Sequence, residues 1–238
     1  MNRYPIFLLV GFNLFSSLHF GAEIRFKVRH DHGVKSCHGE LVFGDTSVEY
    51  ITNHQKDARA WKFEDIQQLG LLGPKKISLL TYEDRKLEFG KDKIFNFELT
   101  EGVIPESLGA FLHRKLAKPL VSELIPTDIK TIYEIPVKHQ HTFGGCQGTL
   151  EISDRYIAYK TSQKAHSRLW SYGDLSSMGS TGSFQLRLST FERTGGENGS
   201  EKNYIFDLKR RLDQKTYDFI WWKINGPQIA SGSNHRPD

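Results

Sequence analysis

The feature that most constrains this chain is a duplication. With His139 placed on His30, an offset of 109 residues, the matches continue without a gap through His141 on His32, Cys146 on Cys37, Gly148 on Gly39, Leu150 on Leu41, Asp154 on Asp45 and Tyr159 on Tyr50. They run on through Thr161 on Thr52, Arg168 on Arg59, Trp170 on Trp61, Asp174 on Asp65 and Thr190 on Thr81, and end with Phe206 on Phe97 and Leu208 on Leu99. A shared register of this length implies one supersecondary unit used twice. The first copy is expected over residues 23–117 and the second over 131–225. Residues 118–130, which hold Pro119 and Pro126, read as a linker, and 226–238, opened by Gly226 and Pro227, as a disordered tail.

Inside each copy, apolar and polar residues alternate with the two-residue period of half-buried strands. Ile77 and Leu79 correspond to Leu186 and Leu188, and Phe95, Phe97 and Leu99 correspond to Tyr204, Phe206 and Leu208. The period lengthens only at the end of each copy, where Leu108, Phe111 and Leu112 stand opposite Tyr217, Ile220 and Trp221 at helical spacing. Pro105 suits a helix start, because its missing amide proton has no partner in the first turn anyway. The expected fold class is therefore mainly β, with two tandem units of about seven strands, each closed by one helix.

Strands first and one packing helix last is the order of the pleckstrin-homology (PH) superfold. Each copy resembles its GRAM or PH-like branch through that order, the Gly-x-Leu at Gly39 to Leu41 and Gly148 to Leu150, and the helical aromatic Trp221. The run His-x-His, four residues, then Cys-x-Gly-x-Leu is also similar to one in uncharacterised bacterial exported proteins. The PH-like resemblance implies a binding or scaffolding role with a protein or peptide ligand. A β-sandwich with an appended helix is the alternative architecture.

The duplicated run carries the candidate chemistry. Taking His30 to His32 as the end of one strand and Cys37 as the start of the next, a four-residue turn sets His32 opposite Cys37 and His30 opposite Gly39. Residues directly opposite share a face, so His30, His32 and Cys37 are expected to converge beside the space left by Gly39. The same construction gathers His139, His141 and Cys146 beside Gly148. A fourth group is expected from His166, four residues before Trp170, and from Asp57 at the aligned position. Imidazole, thiolate and carboxylate together suit Zn, or Cu with a different geometry. Two other readings stay open: a hydrogen-bonded core with Cys as a small hydrophobe, and a disulfide between Cys37 and Cys146, which would exclude the metal sites.

Residues 1–22 have the layout of a secretory signal peptide: Arg3, an apolar run from Ile6 to Phe15, then Ser16, Ser17, Gly21 and Ala22. Export, to a secreted or periplasmic destination, is the expected outcome, and an uncleaved N-terminal anchor the alternative. With 32 basic and 28 acidic residues the net charge is only +4, without the concentrated basic face that nucleic-acid binding requires. Lys27, Arg29 and Lys35 offer basic groups for a phosphoinositide in the first hairpin, but the second copy has only Lys138 there. An exported protein would also not meet those lipids. Arg59 and Arg168 are expected to form structural ion pairs with Asp65 and Asp174. No nucleophile elbow, phosphate-binding glycine loop or HExxH motif occurs, so no catalytic residue is assigned.

Overall fold

The computed structural model describes residues 23–31, 35–85, 90–163, 165–193 and 201–232. Residues 1–22, the expected signal peptide, together with His32 and the glycine-rich stretch 194–200, lie outside the described residues. The first half contains strands β1 (Ile24–Asp31), β2 (Ser36–Phe43), β3 (Ser47–Ile51) and β4 (Arg59–Lys62), then a 3-10 turn (Phe63–Asp65). It continues with β5 (Ile66–Leu71), β6 (Lys76–Asp84), β7 (Asp92–Leu99) and helix α1 (Glu106–Lys115). After a short β8 (Leu120–Ser122) the second half repeats the plan. Its strands are β9 (Thr131–Gln140), β10 (Gly145–Ser153), β11 (Tyr156–Lys160) and β12 (Arg168–Ser171). A second 3-10 turn (Tyr172–Asp174), β13 (Leu175–Gly179), β14 (Gln185–Arg193), β15 (Glu201–Leu208) and α2 (Gln214–Gly232) complete it.

The halves share one pairing scheme. In the first, β1 lies between β2 and β7; in the second, β9 lies between β10 and β15, and these ladders are antiparallel. The alternation read from sequence is what directs them, because period-two apolar residues put one face of every strand inward. Val28, Leu41, Tyr50, Trp61, Leu79 and Phe97 enclose one hydrophobic cluster beneath Leu108 and Leu112. Val137, Leu150, Tyr159, Trp170, Leu188 and Phe206 enclose a second beneath Ile220 and Ile224.

Three expectations need correction. Residues 118–130 are not merely a linker, because β8 pairs in parallel with β5 and antiparallel with β12, which joins all fifteen strands into one hydrogen-bonded sheet. The disordered tail cannot begin at 226, since α2 runs to Gly232 and carries Pro227 within it. The gap-free register also breaks in the helices. Leu112 corresponds to Ile220 rather than to Trp221, and Lys115, which binds Asp45, corresponds to Lys223, which binds Asp154. One residue is thus missing between β15 and α2, so Trp221 is only half-buried and Trp222 lies exposed.

The anticipated arginine pairs also form differently. Arg59 lies 3.9 Å from Glu83, and Arg168 reaches Glu123 at 3.1 Å and the Tyr204 hydroxyl at 3.2 Å. Glu83 and Glu192, also 109 positions apart, accept hydrogen bonds from the indoles of Trp61 and Trp170 at 2.9 and 3.1 Å. Asp174 has partners other than Arg168. It accepts bonds from the Ser171 amide and hydroxyl and from the Leu120 amide, and so pins β8 to the second half.

Candidate metal centre

Strand parity delivers the duplicated His and Cys to the interior. His139 follows Ile135 and Val137 on the buried face of β9, and Cys146 lies directly opposite it on β10. His30 and Cys37 are paired in the same way across β1 and β2. The observed ladder is offset by two residues from the expected one, with Val28 rather than His30 opposite Gly39. An even offset preserves the face, so the convergence survives the change of partner.

In the second half three donors come together. Cys146 Sγ lies 3.0 Å from His141 Nε2, and the ring centroids of His139 and His141 are 4.5 Å apart. One ligand atom from each of His139, His141 and Cys146 falls within 4.8 Å of the other two. His141 belongs to the tight turn after β9, closed by its amide donating to the Gly144 carbonyl at 3.1 Å, with Gly144 at φ 80°. That left-handed conformation suits a residue without a Cβ. His166 approaches from the β11–β12 connection, its ring centroid 4.7 Å from that of His141. It lies before β12 rather than on it, turned in by Ala165 at φ 64°.

The electrostatics favour ligation. Burial, reinforced by His141 and His166, pulls His139 down to about 4, and burial then His166 lower His141 as well. His139 is therefore neutral at pH 7, the state that binds metal. Nδ1 of His139 and Nδ1 of His166 are buried without a hydrogen-bond partner. An unpartnered buried nitrogen costs about 1–3 kcal/mol, which a coordinated ion would offset.

Tyr159 is a member of this site that spacing alone does not single out, although its repetition at Tyr50 is visible in the sequence. Its hydroxyl lies 3.0 Å from Cys146 Sγ and donates to the Cys146 carbonyl at 2.8 Å. Burial and the neighbouring sulfur push its phenol upward, so it stays protonated. The space anticipated beside Gly148 is filled by this ring, since a Cβ there would stand 2.6 Å from Tyr159 Cε2 and would overlap the Lys160 carbonyl.

The first half repeats part of the arrangement. Cys37 Sγ lies 3.9 Å from His30 Nδ1 and 3.0 Å from the Tyr50 hydroxyl, and His30 stacks on Phe97 with centroids 4.8 Å apart. Asp57 is half-buried, and its charge helps to raise Tyr50. The third expected donor, His32, is outside the described residues. Cys37 and Cys146 are both thiols, each buried in its own cluster, which excludes the disulfide between them.

No family model matches the chain, and no curated protein matches it. Among solved structures, the Spt16D Pob3N heterodimer is similar at 9% identity and a TM-score of 0.31, over 72% of this chain and 85% of that one. The Bacillus subtilis inhibitor of motility, MotI/DgrA, is similar at 9% identity and a TM-score of 0.16, over 90% of this chain and 98% of that one. Likeness at this level leaves the chemistry to be argued from the residues themselves.

Proposed function

We propose that this chain is an exported, non-enzymatic binding protein of two PH-like units, the second of which holds a Zn2+ or Cu+ ion through His139, His141 and Cys146, with His166 as fourth ligand. The carrying observation is the convergence of two imidazoles and a thiol within 4.8 Å. Bonds of about 2.0–2.3 Å to a tetrahedral ion would set neighbouring ligand atoms roughly 3.3–3.6 Å apart. The cluster must therefore contract by about 1 Å to reach that geometry, within range of the side chains on the His141 turn. Cys146 is fully buried and His139 nearly so. Two ligands so enclosed, with His141 half-buried beside them, favour retaining an ion over exposing an open coordination position to a substrate. Seven strands closed by a helix, twice over, support the PH-like reading of each unit, and the layout of residues 1–22 supports export.

The test is equilibration of the pure protein with Zn2+, or with Cu+ under reductant, followed by gel filtration and elemental analysis. About one equivalent per chain is expected, falling by at least about tenfold in Cys146→Ser. Less than about a tenth of an equivalent in the wild-type protein would overturn the reading.

A further inference from the structure

The two halves meet at a cleft of about 540 Å³ remote from the histidines of the metal centre. Its walls are Tyr82 on β6 and Phe191 on β14, which occupy equivalent positions 109 residues apart and remain 53% and 46% exposed. Two large aromatic side chains left exposed in one cavity are unfavourable unless something covers them. Lys118 and Arg193 line the same space. Lys118 Nζ donates to the Tyr82 hydroxyl at 3.1 Å, and Arg193 bonds the Gln67 side chain. Neither cation meets a carboxylate among the described residues. The acid in the cleft, Asp174, is already held by Ser171 at 2.6 Å and by the Leu120 amide at 3.2 Å, with His113 at 3.9 Å. The charge available to a ligand is therefore positive.

We infer that this cleft binds a small aromatic carboxylate, its ring covered by Tyr82 and Phe191 and its anionic group held by Lys118 and Arg193. The volume lies within the roughly 300–1,000 Å³ of small-molecule sites, and a lining that mixes aromatic side chains with cations suits a ligand that is both aromatic and anionic. Each half supplies one aromatic to the cleft, and the halves are held together there by β8 and by the bonds of Arg193 to Gln67 and Gln68. The site is independent of the metal centre.

Isothermal titration of the full chain with naphthalene-2-carboxylate tests this, with neutral 2-naphthalenemethanol as the comparison. Saturable one-to-one binding is expected, at least about tenfold tighter than for the alcohol, equivalent to about 1.4 kcal/mol. Phe191→Ala and Lys118→Gln should each weaken it by about tenfold while the thermal midpoint holds, and His139→Ala should leave it unchanged. Absence of saturation, equal binding of the alcohol, or indifference to both cleft substitutions would overturn the proposal.

Discussion

The hydroxyl of Tyr159 contacts Cys146 twice, at the sulfur (3.0 Å) and at the carbonyl oxygen (2.8 Å). Its one proton goes to the carbonyl, so the thiol is the donor in the sulfur contact. Once the thiol is deprotonated by a metal, the phenol becomes the group that must donate to sulfur. Groups that hydrogen-bond to a ligand in this way contribute about 10–100-fold to metal affinity. Tyr159→Phe is therefore expected to weaken Zn2+ binding by about that factor, measured by competition with a chromophoric chelator. Unchanged affinity would mean that the phenol serves only the fold.

Gly148→Ala is expected to destabilise the second half by about 3 kcal/mol, because the new Cβ has only the Tyr159 ring and the Lys160 backbone to displace. The same change at Gly39 meets Tyr50 and Ile51 in the same way. Urea unfolding followed by tryptophan fluorescence would measure both. A loss below about 0.5 kcal/mol at either position would show that the ring can move aside.

Acid should loosen the contact between the halves through His113. Burial lowers its pKa, and the Asp174 charge opposes that only in part. The groups facing it are Asp174 and the Tyr156 ring, and its Nε2 is buried without a partner. A folded-state pKa below the unfolded one means stability that is present above about pH 6.5 and is lost as pH falls through the folded value. His113→Phe removes this proton uptake, so stability should decline less between about pH 7.5 and 5.5 than in the wild type. Parallel pH profiles for the two proteins would count against it.

Two buried thiols in separate clusters give a further expectation. Non-reducing denaturation should release about two titratable thiols per chain, with slow reaction in the native state. A value near zero would show that the cysteines are oxidised.

Much of this is legible in the sequence because period-two patterning fixes which face a strand buries. That is why His30 with Cys37, and His139 with Cys146, come together even though the ladder is offset by two. The role of Tyr159 is harder to read. Its hydroxyl reaches Cys146 across the space that Gly148 opens, which requires knowing that the neighbouring strand fills the gap. Asp174 departs from its expected pairing because the 3-10 turn after Ser171 interrupts the strand, so that parity counted from Arg168 no longer applies. The pairings of β8 depend on two strands far from it in sequence, and Pro119 beside so short an element gives no sign of them.

The pairing of β8 has a further consequence. It docks on the β5 edge of the first half and on the β12 edge of the second, and β12 is the counterpart of β4, not of β5. The union is head-to-tail, so the ends of the strand order, β4 and β13, are the two complementary halves of that same seam. A rule of this kind has no built-in stopping point and generates filaments when repeated between molecules. In this chain the splice strand is already engaged internally, and the terminal strands are only four and five residues long, a length that blunts pairing at an open edge.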